Sequence, residues 1–173
     1  MVTYDPSIED SQYGFSYEYG VDIEIAGAWQ AIRRITGVDP QVTPVTVEAA
    51  TYDDLGSPNS PKIGENWTLG FQVQQQRLPD GSFTEEVEAL LALAEPDAVG
   101  ELAFGRFRWY DKPADGTPNP DHAFEGEGTV QITRAQTGNA EIGSWTVSIT
   151  CRGRRKKIAN PFTGWVEETV PTP

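Results

Sequence analysis

The strongest constraint on the fold is a strict alternation of apolar and polar residues over positions 67–77. One set of alternate positions begins with Trp67, Leu69, Phe71 and Val73, whereas the other set holds only threonine, glycine and glutamine. Apolar residues at every second position are typical of a half-buried β-strand, because successive side chains point to opposite faces. The alternation therefore predicts a strand with one face in the core and the other face in water.

The polar face of this strand is uncharged, although the chain has a net charge of −13. Its side chains are those of Thr68, Gln72, Gln74 and Gln76, which surround Gly70. Exposed strands ordinarily carry charged residues, which protect them from unwanted pairing. We therefore interpret these four side chains as a surface that meets water without attracting ions of either sign.

Two later segments alternate in the same way. Residues 124–134 place Val130 and Ile132 on one face, and residues 144–152 place Trp145 and Val147 on one face, with polar side chains opposite. Both patterns predict strands. Several strands with turn-rich connections are typical of a β-sandwich or a β-barrel.

One segment has helical periodicity instead. Val87, Leu90, Leu91 and Ala94 have the spacing of one helix face, and Pro96 ends the pattern. We therefore predict a mainly β (α+β) fold, in which two packed antiparallel sheets form a sandwich or barrel with one flanking helix at about residues 84–95. The chain of 173 residues has the length of a single domain. We expect an N-terminal arm at about residues 1–20 and a C-terminal extension at about 160–173.

The odd positions of residues 13–25 are all aromatic or aliphatic. This pattern fits two alternatives equally well: a strand that covers the edge of the core, or an arm that packs on a neighbouring subunit. Both interpretations require an extended backbone.

A long loop is predicted at residues 51–66, which contain two prolines and two glycines. Loops of about fifteen residues are often functional. This one carries Asp53, Asp54, Lys62 and Glu65, so we interpret it as a contact surface. Clustered carboxylates could also bind a divalent cation, although their spacing matches no EF-hand.

Charge is distributed unevenly along the chain. Residues 1–26 contain six carboxylates and no Lys or Arg, whereas a short late segment holds five cations: Arg152, Arg154, Arg155, Lys156 and Lys157. These cations could contact nucleic-acid phosphates or acidic surface on another copy. The strongly negative chain favours the second alternative, with the N-terminal arm as the leading partner.

The residues that most catalytic sites need are scarce. His122 is the only histidine and Cys151 the only cysteine, and neither a Walker sequence nor a dinucleotide fingerprint occurs. We predict no enzymatic activity, no metal and no cofactor. No apolar run reaches the length of a membrane span, so no membrane association is predicted.

Several short stretches, spread over most of the chain, resemble the major tail tube proteins of long-tailed, siphovirus-type bacteriophages, particularly those that infect actinobacteria. They are ITGVDP at 35–40, AATYDD at 49–54, KIGENWTLGFQV at 62–73, RWYD at 108–111, GEGTV at 126–130, GSWTVSITCRG at 143–153 and IANP at 158–161.

This resemblance implies that six copies form a ring and that stacked rings form the tail tube, a conduit for genome ejection. It also implies tape measure, tail terminator and distal tail proteins as partners, assembly in the host cytoplasm, and double-stranded DNA that passes through without specific binding. Thr68, Gln72, Gln74 and Gln76 would then line the lumen, and the loop with Asp53, Asp54, Lys62 and Glu65 would contact the next ring.

A second function class stays open at this point. A monomeric β-sandwich binding module, for instance for carbohydrate, could use Trp67, Trp109, Trp145 or Trp165 as a stacking platform. Aromatic residues in strands are more often part of the core.

Overall fold

The computed structural model describes residues 13–165, which form one antiparallel sheet of seven strands and a single α-helix. The sheet has the strand order β2-β1-β5-β6-β7-β4-β3. In chain order the elements are β1 (Tyr19–Ile25), β2 (Ala28–Ala31), β3 (Ile35–Thr46), β4 (Lys62–Gln74), α1 (Glu85–Leu93), β5 (Phe104–Asp111), β6 (Ala123–Arg134) and β7 (Ser144–Lys157).

A short connection forces the sheet to curl. Strands β2 and β3 lie at opposite edges of the sheet, yet only residues 32–34 join them. Seven flat strands would separate the edges by about 29 Å, whereas three linking residues span at most about 15 Å. The connection is hydrogen-bonded on both sides, since Ile32 N donates to Val21 O over 2.9 Å and Gln74 N donates to Arg34 O over 3.0 Å.

The curl encloses the core, and the strand predicted from alternation lies across it. Trp67, Leu69, Phe71 and Val73 of β4 are all buried. So are two inward residues from each of β1, β5 and β7: Val21, Ile23, Phe107, Trp109, Val147 and Ile149. The helix adds Val87 and Leu90 to the same cluster. The core is therefore made of one face of a single curled sheet, with α1 packed against it.

The predicted mainly β fold with one flanking helix is confirmed. The helix occupies Glu85–Leu93, with Thr84 as its N-cap, close to the predicted range of about 84–95. The expected pair of separate sheets is corrected in one respect, because hydrogen bonding continues through all seven strands. Curling of one sheet produces the two facing layers that the sequence suggested.

The long loop begins and ends earlier in the chain than the predicted residues 51–66. It occupies residues 47–61, and β4 begins at Lys62, so Lys62 and Glu65 belong to the strand. Strand β3 reaches Thr46 after passing through Pro40 and Pro44, both of which pair with β4. Prolines are tolerated there because β3 is an edge strand and needs hydrogen bonds on one side only.

The aromatic start of the chain divides into two parts. From Tyr19 the predicted alternation forms β1, whereas Tyr13, Phe15 and Tyr17 precede the strand and are exposed. The rings of Phe15 and Tyr17 stack with centroids 5.4 Å apart. Most of the predicted arm, residues 1–12, and the end of the predicted extension, residues 166–173, lie outside the described residues.

Among the described residues, no helix has the length and apolar character to cross a membrane.

The inner face of the sheet leaves no room for a methyl group at Gly126. A Cβ there would collide with the ring of Trp67, whereas a Cβ at Gly37 would meet nothing within 4 Å. We expect Gly126→Ala to lower the free energy of unfolding by about 1–3 kcal/mol through overpacking. Gly37→Ala, in the same sheet, is the matched control and should change it by less than about 0.5 kcal/mol. Urea unfolding of both variants measures the difference, and equal stabilities would contradict the packing described here.

Candidate functional site: the polar face of the sheet

Four adjacent strands, β3, β4, β7 and β6, present a continuous polar surface on the outside of the curled sheet. Residues paired across antiparallel strands share a face, so the register aligns them in rows. The surface, called the neutral face below, has three rows: Gln41, Thr68, Thr150 and Thr129; Asp39, Gly70, Ser148 and Gln131; Gly37, Gln72, Thr146 and Thr133.

The neutral face has almost no charge. Its one ionisable side chain is Asp39, whose two carboxylate oxygens both accept hydrogen bonds from the Gln41 amide over 3.0 Å. Lysine and arginine are absent from all twelve positions. The hydroxyl and amide groups that remain can hydrogen-bond to water but cannot hold a phosphate by charge.

The structure places three of the four predicted polar residues on this surface. Thr68 and Gln72 are exposed on it, and Gln74 continues the face opposite Ser144. Gln76 follows the end of β4 and is not part of the sheet. Sequence alternation identified the outward positions of β6 and β7, but the strand order that makes them one surface has no local sequence signal.

At each of its two lateral borders, this four-stranded surface has a backbone edge without a partner strand in residues 13–165. Among the described residues strand β3 pairs only with β4, so its other edge has no partner strand there. Strand β6 pairs with β5 only as far as Thr129, which leaves residues 130–134 without a partner strand on that side within residues 13–165. Free edges are templates for pairing with another chain.

Beyond the neutral face, on β5 and β1, the same side of the sheet carries a network of charges. Arg108 Nε donates to the buried Asp22 carboxylate over 2.6 Å, and the Tyr110 hydroxyl donates to the same carboxylate over 2.9 Å. The Arg108 guanidinium also lies 4.7 Å from the ring centre of Trp29. Burial and then the Asp22 charge raise the pKa of the Tyr110 phenol above its usual range.

Arg106 makes a second set of ion pairs next to the first. It contacts Glu24 over 2.7 Å and Glu125 over 3.1 Å. Asp22 and Glu24, which the sequence placed in the acidic N-terminal segment, are thus neutralised by cations of β5. The acids of residues 1–12 lie outside the described residues.

The predicted basic segment belongs to strand β7 and is not a tail. Arg152 pairs with Glu101 over 2.7 Å, Arg155 pairs with Glu65 over 3.1 Å and Lys157 pairs with Asp121 over 3.5 Å. Arg154 and Lys156 have no ion-pair partner among residues 13–165. A bulge in β7 separates the strand pairs Glu127–Arg152 and Glu125–Lys156 and adds two residues to β7. Gly153 lies in this bulge with φ 71°.

The loop at residues 47–61 is held by its own carboxylates. Glu48 accepts hydrogen bonds from the backbone N–H groups of Ala50 and Asn59, which lowers the pKa of its carboxyl. Asp54 accepts from the backbone and side chain of Thr51, with the same effect on its pKa. Hydrogen bonds within the loop therefore hold its conformation.

The four charged residues predicted as one contact surface divide between two elements. Asp53 and Asp54 lie in a short 3₁₀ turn at the tip of the loop. Glu65 lies in β4, where Lys62 and Arg155 donate to it, and the hydrogen bond from Lys62 lowers the pKa of its carboxyl. Within residues 13–165 there is no group of three side chains able to hold a metal ion.

The tryptophans of the alternative binding-module interpretation do not form a platform. Trp67 and Trp109 are 1% and 2% exposed, and their ring centres lie 5.0 Å apart in the core. Trp145 packs edge-on against Phe83. Trp165 is exposed, but its indole donates to Pro113 O and its ring contacts Lys112. This geometry disfavours stacking of a sugar ring.

The buried ion pair on β1 should matter far more for stability than an exposed one. Asp22→Asn keeps an acceptor for Tyr110 but leaves the Arg108 charge uncompensated, so we expect it to cost about 3 kcal/mol of unfolding free energy. Glu101→Gln removes an ion pair of similar length, 2.7 Å, whose carboxylate side chain is 77% exposed, and should cost about 0–1 kcal/mol. Urea unfolding of both variants tests this, and similar losses would show that burial does not determine the effect.

Among comparisons with known proteins, the one with solved structures supports the fold. No family model matches the sequence, and no curated protein matches it. Among solved structures, a chain from the tail of an empty gene transfer agent particle, refined helically with C6 symmetry, has a TM-score of 0.61 at 12% identity over 86% of this chain and 100% of that one.

Two further structures give similar values. A chain from the virion of a native gene transfer agent particle has a TM-score of 0.59 at 10% identity, over 86% of this chain and 100% of that one. A chain from the six-fold symmetrised baseplate of the anti-feeding prophage has a TM-score of 0.56 at 7% identity, over 88% and 99%. The chain therefore has the fold of these three proteins of tail and baseplate particles.

Proposed function

We propose that this chain is a structural tail protein of a phage-like particle, in which six copies form a ring and stacked rings form a tube for passage of the genome. The observation that carries the proposal is the neutral face, a four-strand surface with one carboxylate and no cation. In this role the neutral face lines the lumen. The likeness to chains from particles described with C6 or six-fold symmetry supports the number of copies.

A lumen that conducts DNA must not bind phosphates. Each phosphate contact made by Lys or Arg strengthens binding and makes it salt-dependent, so even a few cations per copy would retain a polyanion over a long tube. The neutral face contributes none, and the chain's net charge of −13 disfavours adsorption elsewhere. Hydroxyl and amide side chains keep such a wall hydrated.

The free edges supply a way to close the ring. Strand β3 runs antiparallel to β4, β4 to β7 and β7 to β6, so β6 and β3 have opposite directions. Residues 130–134 of one copy can therefore lie beside β3 of the next copy and continue the antiparallel order. The prolines of β3 limit the number of hydrogen bonds at that junction.

The dimensions agree with passage of a duplex. Four strands from each of six copies give 24 strands, which at a spacing of about 4.8 Å and a tilt of about 40° form a barrel about 48 Å across its backbone. Side chains reduce this opening to about 35–40 Å, which is wider than a DNA duplex. The tube therefore needs no distortion of the DNA.

Contacts between rings come from the remaining charged elements. The loop at residues 47–61 extends past the sheet and carries three carboxylates, whereas Arg154 and Lys156 on β7 have no ion-pair partner within residues 13–165. The partner of Arg154 and Lys156 is an acidic surface on an adjacent copy. Tape measure, terminator and distal tail proteins are the other partners of such a tube.

Assembly of the purified protein tests the structural role. With rising concentration we expect light scattering to detect oligomers, and negative-stain electron microscopy to show rings or tubes. The same preparations should be titrated with salt, because exposed ion pairs are screened and the Debye length falls to about 3 Å at 1 M. A protein that stays monomeric at every concentration and ionic strength would contradict the proposal.

Charge added to the neutral face should convert the lumen into a DNA-binding surface. We expect Gln72→Lys with Gln131→Lys to leave assembly intact, since both side chains are exposed, and to make tubes retain short duplex DNA at low salt. The control Gln136→Lys with Asn139→Lys adds the same charge in the exposed β6–β7 connection.

Co-sedimentation of DNA with tubes, measured over a range of salt concentrations, separates the two double variants. Retention by the neutral-face variant alone, lost as salt rises, is the expected result. Equal retention by the control, or none by either, would contradict the assignment of the neutral face to the lumen.

A further inference from the structure

Prolines interrupt the edge of β3 that has no partner strand in residues 13–165. Gln74 N donates to Arg34 O over 3.0 Å, so the even-numbered residues of β4 direct their backbone groups toward β3. From Gly37 onward the register pairs these residues with odd-numbered residues of β3, and alternate residues of a strand turn their N–H and C=O groups to opposite sides. The even-numbered residues of β3 therefore face the open edge. Two of them, Pro40 and Pro44, have no N–H group.

The start of this edge is already beside another segment of the same chain. Tyr17 and Tyr19 line a depression of about 110 Å³ together with residues 35–38. Another strand cannot approach β3 there. The stretch of β3 that is left for pairing is therefore residues 40–44, in which Val42 has the one N–H group that faces outward.

The open stretch of β6 has the same length of five residues. Ala135 N donates to Ser144 O over 2.9 Å, so the odd-numbered residues of β6 face β7 and the even-numbered residues face the open side. Three residues of the stretch 130–134 therefore offer both an N–H and a C=O group: Val130, Ile132 and Arg134.

One alignment of the two stretches places both prolines at the ends of the junction. It sets Val42 opposite Ile132, so that these two residues exchange a pair of hydrogen bonds. A shift of two residues in either direction would put a proline opposite Ile132 and leave its C=O without a donor in the middle of the pairing, where prolines are rarely found. A shift of one residue would turn the side chains to the wrong faces.

The same alignment matches the side chains on both faces. On the core side Val42, which is 38% exposed, meets Ile132, which packs against the core cluster. On the side of the neutral face only threonine and glutamine meet across the junction: Gln41 with Thr133, and Thr43 with Gln131. The neutral face therefore continues from copy to copy without a charge at the seam.

The alignment also determines the offset between neighbouring copies. Within one copy Thr129 lies in the same row as Gln41, whereas across the junction it lies level with Val45 of the next copy, four residues further along β3. Six such offsets give a barrel of 24 strands a shear of about 24 residues. Equal strand number and shear correspond to a tilt of about 36°. Offsets of two or six residues would give about 20° or about 47°, on either side of the usual range of about 35–45°.

The direction of the offset has the hand that strands prefer. Seen from the channel with β3 pointing upward, L-residues whose side chains face the viewer direct their N–H groups to the right, so β4 lies to the right of β3 and the next copy to the right of β6. Each successive copy is then displaced downward along the strands. Seen from outside, the strands rise to the right, as the right-handed twist of β-strands requires.

We propose that residues 40–44 of one copy pair with residues 130–134 of the next, with Val42 opposite Ile132, and that this alignment sets the tilt of the strands in the channel wall. This inference rests on the proposed function and specifies the backbone groups that close the ring. The prolines at both ends of the junction act as stops, because sliding by two residues moves one of them into the middle.

Disulfides between copies measure the alignment directly. In a Cys151→Ser background, three variants carry Gln41→Cys together with Thr133→Cys, Gln131→Cys or Ala135→Cys. The first two positions are direct neighbours in the proposed alignment, with Cα atoms about 4.5 Å apart. The other combinations are about 8 Å apart, too far for a disulfide without backbone movement. Within one chain three strand spacings, about 14 Å, separate these positions, so every disulfide joins two copies.

Assembled tubes of each variant should be oxidised mildly and analysed on a non-reducing gel. We expect Gln41→Cys with Thr133→Cys to give a ladder of covalent species that ends at six copies, at least about tenfold more abundant than in the other two variants. Thr43→Cys with Gln131→Cys samples the same alignment two residues along the strands and should give the same ladder.

A proline in the middle of the junction tests the hydrogen bonds. Val42→Pro leaves the pairing with β4 intact, as Pro40 and Pro44 already do, but deprives the C=O of Ile132 of its donor. Tubes should then require a protein concentration at least about tenfold higher. Thr46→Pro removes an N–H group from the same edge outside the junction and should leave that concentration unchanged.

The outcomes separate the two proposals. Tubes that form normally but cross-link best through Gln41→Cys with Gln131→Cys or Ala135→Cys would overturn the alignment and leave the tube intact. Normal tubes without a disulfide in any variant, or equal effects of Val42→Pro and Thr46→Pro, would overturn the junction itself. Failure of the unmodified protein to assemble at all would overturn the proposed function as well.

Discussion

The three residues that join β2 to β3 are the constraint on which the rest of the structure depends. They connect opposite edges of a seven-stranded sheet, and Ile32 and Arg34 hydrogen-bond to both sides. The sheet must therefore curl until its edges are near each other. Curling gives the sheet an inside that holds Trp67, Trp109 and the helix, and an outside on which every outward side chain of four strands forms one surface. Within the part of the chain that the structure describes, β3 and the end of β6 also have backbone edges without a partner strand.

Charge on the outside of the sheet is confined to one region of it. Strands β1 and β5 concentrate their acids and arginines in ion pairs, such as Asp22 with Arg108 and Glu24 with Arg106. The neutral face on β3, β4, β7 and β6 carries threonine, serine, glutamine and glycine with the single carboxylate of Asp39, and charged side chains begin on the same side with Glu127 and Arg152. In buried and half-buried ion pairs each charge is compensated by its partner. Such pairs therefore contribute little to the electrostatic field around the protein. The result is an acidic protein with one wide, neutral, hydrated face, which is the property that a conduit for a polyanion needs.

Local patterns predicted the strands but not their arrangement. Alternation identified the inward face of β4 and the outward faces of β6 and β7, and the spacing from Val87 to Ala94 identified α1. The continuous course of β3 from Ile35 to Thr46 was not predicted, because Pro40 and Pro44 argue against a strand unless its edge position is known. Gln76 was assigned to the polar face because alternation continues in the sequence after the strand has ended at Gln74.

The basic segment shows that ion pairing, like strand arrangement, could not be predicted from local sequence patterns. As a sequence it is a run of uncompensated cations, whereas strand pairing brings Arg152 to Glu101 and Arg155 to Glu65, residues far away in the chain. Sequence separation hides such partners, since register and strand order determine them. Arg154 and Lys156, the two cations without an ion-pair partner in residues 13–165, follow the bulge at Gly153. The glycine within this basic strand was the only local sequence signal of the bulge.

A cryo-electron microscopy reconstruction of the assembled protein tests the central claim most directly. The account predicts six copies per ring, with the Gln72 and Gln131 side chains facing the central channel and β3 of each copy beside residues 130–134 of the next. A ring of another symmetry, or six copies whose neutral faces point away from the axis, would contradict it.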